Sequence, residues 1–117
     1  GIAADIEVAE KITVRLADSD WDIGTMAYST LPTGNPYTYL SAVMGSDGTS
    51  NYGHYSNAKV DELLGQLKKT SDEAEQKELV KQIQQIALDD HAYVYMVHTL
   101  VNDVTAADVE NLAMQGQ

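Results

Sequence analysis

The sequence predicts an α/β domain in which helices pack on a small mixed sheet. Two observations predict this class. Short apolar stretches, such as residues 21–28 and 92–99, have the length of buried strands, whereas the longer stretches after residue 57 carry apolar residues at helical spacing. In chain order the predicted elements are β-α-β-α-α-α-β, and 117 residues suffice for one domain with a single core.

The first part of the chain is predicted to form a strand, a helix and a second strand. Ile6 and Val8 alternate with other residues, which indicates a short strand. Residues 9–18 then show a helical spacing, although residues 12–16 also alternate and leave a strand open there. A polar turn follows, and Trp21–Tyr28 is predicted to be a buried strand.

Two loops and a short helix occupy the middle of the chain. The segment STLPTGNP carries the prolines and the glycine of a loop, and Pro36 suits the first turn of the helix PYTYLSAVM, which Gly45 ends. Residues 45–57 form a second long loop, rich in Gly, Ser and Asn. Ser56 or Asn57 is predicted to cap the next helix.

Two long helices and a strand are predicted to complete the domain. Thr70 and Glu73 match a capping box that opens the second long helix, and Asp89 with Asp90 ends it. Residues 92–99 are predicted to be a strand covered on both faces. The predicted inward-facing positions of the two helices are Val60, Leu63, Leu64, Leu67, Leu79, Ile83, Ile86 and Ala87.

The acidic composition narrows the classes of partner. Eighteen Asp and Glu against seven Lys and Arg give a formal net charge of −11, which disfavours nucleic acid and anionic membrane surfaces. The chain has no Cys, which excludes disulfides and thiolate metal sites. No run of the sequence approaches the roughly 20 apolar residues of a membrane span.

Candidate metal ligands are few. Asp18, Asp20 and Asp22 have the spacing that opens an EF-hand loop, but Ile23 and Ser29 stand where that loop needs Gly and a bidentate Glu, so we expect a polar turn.

The three histidines, His54, His91 and His98, do not share a metal-ligand spacing. We expect His91 to be structural, because it follows a helix end. The sequence also lacks the G-x-S-x-G elbow, the P-loop and the G-x-G-x-x-G fingerprint.

Three segments resemble the family-5 solute-binding proteins, the peptide- and nickel-binding class of ABC importers. WDIGTMAYSTLPTGNPYTYL resembles the strand, proline-ended loop and aromatic helix of that family, and NYGHYSNAKVDELL resembles its N-Y-x-x-Y-S-N-P-x-V-D-x-L-L segment. Residues 69–95 resemble the helix that precedes a buried strand there. The order and spacing of the three segments carry the resemblance.

The resemblance implies one partial lobe of a two-lobed fold of the periplasmic-binding-protein type. Residues 1–104 would be a fragment of the C-terminal lobe, and residues 105–117 a weakly patterned tail. The implied partners are a small ligand, the missing lobe of the same polypeptide and an ABC membrane permease. The implied location is extracytoplasmic, and neither catalysis nor a resident cofactor is expected.

The loop before Pro36 bears on the choice of substrate. Peptide-binding members carry an Asp for the peptide amine where this chain has Pro32, and nickel-binding members carry aromatic residues where it has Thr30 and Gly34. The segment P-T-G-N-P is nevertheless closer to nickel-type loops. The leading expectation is therefore a nickel or other metal chelate, with short peptides second and a metal-dependent hydrolase as the alternative from another class. His54 is the candidate metal ligand. The other expected ligand-binding residues are Tyr28, Ser29, Thr30, Pro32, Thr33, Asn35 and His98.

Overall fold

The computed structural model describes residues 1, 3–28, 36–94 and 96, and these residues form a helical arrangement. The four helices are α1 (Ile12–Ala17), α2 (Pro36–Met44), α3 (Ala58–Leu67) and α4 (Glu73–Asp89). Helix α4 packs against α3, and α3 packs against α2. Within the described residues, no helix combines the length and the apolar character that a membrane span requires.

The core lies between α2, α3 and α4. The helical spacing read from the sequence is confirmed: of the eight predicted inward positions, seven are buried and Ile86 is partly buried against the core. Ile83 and Val60 are fully buried, at 0% exposure each. Because burying a large aliphatic side chain contributes about 1.5–3 kcal/mol, this interface is the main source of stability. The buried cluster comprises Leu40, Val43, Met44, Val60, Leu63, Leu64, Leu67, Leu79, Ile83 and Ala87.

Side-chain caps define the starts of α3 and α4. Asn57 caps α3, as one of the two predicted alternatives, and its side-chain oxygen accepts from the backbone N–H groups of Lys59 and Val60. The predicted Thr70 cap of α4 is wrong. Asp72 is the N-cap, and its side chain accepts from the N–H of Glu75 at 2.8 Å. Asp72 and Glu75 form a D-x-x-E pattern that lies two residues beyond the predicted T-x-x-E pattern.

The end of α4 is a Schellman motif. The N–H of Ala92 donates to the carbonyl of Ala87 at 2.9 Å, and the N–H of His91 donates to that of Leu88 at 3.0 Å. His91 occupies the left-handed position with φ of 56°, where Gly is usual. Its Nδ1 lies 2.9 Å from the Leu88 carbonyl, so the position of His91 follows from the helix end.

The predicted mixed sheet is wrong for the described residues, which contain no strand. Ile6, Val8 and Ile23 are 88%, 93% and 86% exposed, although the alternation and apolar runs had assigned them to strands. A strand needs a neighbour whose backbone accepts and donates its hydrogen bonds, and sequence spacing does not report whether that neighbour is present. Among residues 92–99, those that the structure describes are also without strand pairing.

Candidate ligand cavity around His54

The loop of residues 45–57, between α2 and α3, is built around the buried side chain of Asn51. The Asn51 amide nitrogen donates to the carbonyl of Gly45 at 3.0 Å and to that of Tyr55 at 2.7 Å. Its amide oxygen accepts from the N–H of Tyr55 at 2.9 Å. Asn51 is 7% exposed, so these bonds replace those that water would otherwise make. One side chain therefore closes both ends of the loop.

Further contacts fix the loop to its two flanking helices. The Ser46 N–H donates to Asp61 at 3.0 Å, and the Ser46 hydroxyl donates to the same carboxylate at 2.6 Å. Gly48 lies so close to the end of α2 that a Cβ atom there would come within 2.7 Å of the Ser41 carbonyl oxygen and closer still to that of Ala42. The sequence uses Gly48 because no side chain fits there.

The loop is also locked to the end of α4. Asp90 accepts from the Tyr55 hydroxyl at 2.6 Å and from the Asn57 amide at 2.7 Å. These two hydrogen bonds lower the pKa of Asp90, and burial together with the Asp90 carboxylate raises the pKa of Tyr55 to about 12. A carboxylate at the C-terminal end of α4 is unfavourable to the helix dipole, but Asp90 serves there as the hydrogen-bond acceptor for the loop.

A turn after α1 brings Ser19 to the same place. The Arg15 guanidinium donates to the Asp20 carbonyl at 2.7 Å, and the Trp21 indole donates to the Leu16 carbonyl at 2.9 Å. Both bonds close the chain back over α1. Ser19 lies between them with φ of 55°, a left-handed conformation that is rare outside Gly.

Ser19 and His54 meet at the centre of the candidate site. Ser19 Oγ lies 3.0 Å from His54 Nε2, although the two residues are 35 positions apart in the sequence. His54 also has a left-handed backbone, with φ of 53°. The left-handed backbone of Ser19 follows from the end of α1, because Ser19 comes directly after the C-cap Asp18 and its N–H donates to the Leu16 carbonyl at 3.3 Å.

A cavity of about 380 Å³ opens beside this pair. Ser19, Asp47 and Thr49 offer oxygen atoms, His54 offers an imidazole, and all four side chains are exposed to solvent. A neutral imidazole with a nearby carboxylate can contact a metal ion or an organic cation. The lining residues are Leu16, Ala17, Ser19, Ser46, Asp47, Gly48, Thr49, Asn51, Tyr52 and His54.

The predicted site residues have different outcomes. His54, the predicted metal ligand, lies in the cavity lining. Tyr28 does not line this cavity; its ring packs edge-on against Tyr39 of α2, with centroids 5.7 Å apart. The remaining predictions, Ser29, Thr30, Pro32, Thr33, Asn35 and His98, lie outside the described residues.

Ser19, Asp47 and Thr49 line the cavity but are not among the residues predicted from the sequence. Ser19 stands inside the D-x-D-x-D segment, in which the carboxylates of Asp18 and Asp20 are the stronger candidate ligands by residue type. Within the part of the chain that the structure describes, no group of three or more acidic, His or Cys side chains is placed to hold a metal ion. Only the Gly-rich composition of the 45–57 loop pointed toward Asp47 and Thr49.

Comparison with known proteins supports a relationship to solute-binding proteins. The chain is 30% identical over 98 residues to the nickel-binding protein NikA of Staphylococcus aureus (strain NCTC 8325 / PS 47). The aligned part covers 83% of this chain and 20% of that relative, so the chain spans a fifth of the relative's length. No protein-family model matches the chain, and no solved structure matches it.

Proposed function

We propose that this chain is part of an extracytoplasmic solute-binding protein that binds a nickel or other metal chelate and delivers it to an ABC permease. The observation that carries the proposal is the similarity to a nickel-binding protein over 83% of the chain. The segments that resemble family-5 solute-binding proteins support the same class. Binding and release are reversible, and no bond of the solute is broken.

The cavity around His54 is compatible with a chelate. Nickel accepts imidazole nitrogen readily, and a chelator brings several ligands of its own. His54 then needs to supply only one further contact, while the Asp47 carboxylate favours the positive charge of the metal. The formal net charge of −11 favours the approach of cations over anions.

Short peptides with a free amine are the second candidate, and Asp47 is the observation that favours them. A carboxylate at the cavity can pair with an ammonium group as well as it can with a metal complex. The two candidates differ in what His54 does: a chelate uses its ring nitrogen as a ligand, whereas an ammonium group does not.

Calorimetry on the untagged 117-residue chain tests the proposal. A two-lobed binding protein encloses its ligand between two walls, and this chain would supply one of them, so much of the ligand stays in water. We therefore expect nickel–histidine to bind with Kd above roughly 10 μM, weaker than about −7 kcal/mol. His54→Ala should abolish this binding. His91→Ala is the matched control, because His91 has nearly the same left-handed φ but does not line the cavity.

The outcomes separate the classes of function. Tight binding of di- and tripeptides that is lost on N-acetylation, with no response to nickel–histidine, would replace the chelate with a peptide. Turnover of generic esters or phosphoesters with added divalent metals would contradict a function of binding alone. Equal nickel–histidine affinity in wild type and His54→Ala would remove His54 from the site.

A further inference from the structure

The contact between Ser19 and His54 bears on which nitrogen of the imidazole is available to a ligand. In a neutral imidazole one nitrogen carries the proton and the other carries the lone pair. Ser19 Oγ lies 3.0 Å from Nε2, and no described residue hydrogen-bonds Nδ1. The hydrogen bond at one nitrogen therefore decides what the other nitrogen can do.

We infer that Ser19 is a positioning residue that accepts a hydrogen bond from His54 Nε2–H and leaves the Nδ1 lone pair free for the metal of the chelate. This inference rests on the proposed function and specifies how the same site works. Histidines that bind metals generally donate their second ring N–H to a fixed partner, which orients the ring and raises its basicity.

The hydrogen bonds that fix the two segments support this role. Ser19 has φ of 55° at the end of α1, and His54 has φ of 53° within the loop of residues 45–57. The turn that carries Ser19 is closed by the Arg15 and Trp21 hydrogen bonds, and the loop that carries His54 is closed by Asn51. Two independently fixed segments thus hold the hydroxyl and the ring against each other.

The tautomer of His54 in the free chain provides the first test. Long-range ¹H–¹⁵N correlation spectra of the ¹⁵N-labelled chain distinguish a protonated Nε2 from a protonated Nδ1. In wild type we expect His54 to be predominantly the Nε2–H tautomer. A resting ring protonated at Nδ1 would overturn the inference without bearing on whether the chain binds a solute.

Affinity for the nickel–histidine complex provides the second test. Ser19→Ala should weaken binding about tenfold, at the lower end of what the loss of such a hydrogen-bond partner costs a metal site. Ser19→Gly should weaken binding similarly although it relieves the left-handed backbone, which separates the role of the hydroxyl from that of the turn. Circular dichroism melts establish that each variant is folded.

The results distinguish this inference from the proposed function. Loss of binding in His54→Ala together with full binding in both Ser19 variants would overturn the positioning role and leave the binding function standing. Full binding in His54→Ala would overturn the metal contact itself. Restored or improved binding in Ser19→Gly alone would assign Ser19 to the turn and not to the ring.

Discussion

Replacing Asn51 with Ala removes the side chain on which the loop around His54 is built. The substitution removes three hydrogen bonds, which join Asn51 to the carbonyls of Gly45 and Tyr55 and to the N–H of Tyr55, while the Gly45 carbonyl keeps its bond from the Gly48 N–H. Gly45 is buried and Tyr55 is half-buried, so water replaces these bonds only in part. At about 1 kcal/mol for each bond, and more for each group left buried, we expect a cost of about 2–4 kcal/mol.

Urea unfolding followed by circular dichroism measures this cost. For a domain of this size, 2–4 kcal/mol corresponds to a fall of roughly 1 M or more in the midpoint, with little change in the slope. Asn57→Ala is the comparator, because Asn57 caps α3 and such caps contribute about 1 kcal/mol. The reasoning is refuted if Asn51→Ala is milder than Asn57→Ala.

Three further substitutions test the packing and the electrostatics of the fold. Ile83→Ala should cost about 2–5 kcal/mol in urea unfolding, because the side chain is 0% exposed, and a cost below 1 kcal/mol would contradict the assigned core. Gly48→Ala should cost about 1–3 kcal/mol from overpacking against α2. Gly53→Ala, where a Cβ meets nothing within 4 Å, should change unfolding little, and equal effects of the two would refute the close approach. The lowered pKa of Asp90 contributes stability that is complete above its ordinary value of 3.8 and is lost as the pH falls through the lowered value. The difference in unfolding free energy between wild type and Asp90→Asn should therefore shrink on acidification below about pH 4, and a difference that stays constant would contradict the role of Asp90 as the acceptor for Tyr55 and Asn57.

The helices could be predicted from the sequence because their determinants are local. The apolar residues from Val60 to Leu67 and from Leu79 to Ala87 each predict the buried face of a helix, and the structure confirms both faces. The start of α4 does not follow from the sequence in the same way, since Thr70 and Asp72 both match a capping pattern. The hydrogen bond that the side chain of Asp72 accepts identifies it as the N-cap.

The strands failed because their determinants are not local. Period-two alternation at Ile6 and Val8 marks residues that suit a strand, but pairing depends on backbone elsewhere in space. The same limit applies to the cavity. His54 is a candidate from its residue type and its loop, whereas the contact of Ser19 with the His54 ring, at 3.0 Å, depends on the fold and has no sequence signal.

The position of bound nickel tests the central claim most directly. In octahedral complexes nickel(II) is paramagnetic, so nickel–histidine added to the ¹⁵N-labelled chain broadens the amide signals of residues near the metal. The account predicts that broadening centres on Ser19, Asp47 and His54 and disappears in His54→Ala. Broadening centred on His91, or broadening around the cavity that persists in His54→Ala, would contradict the claim that this imidazole receives the metal of the chelate.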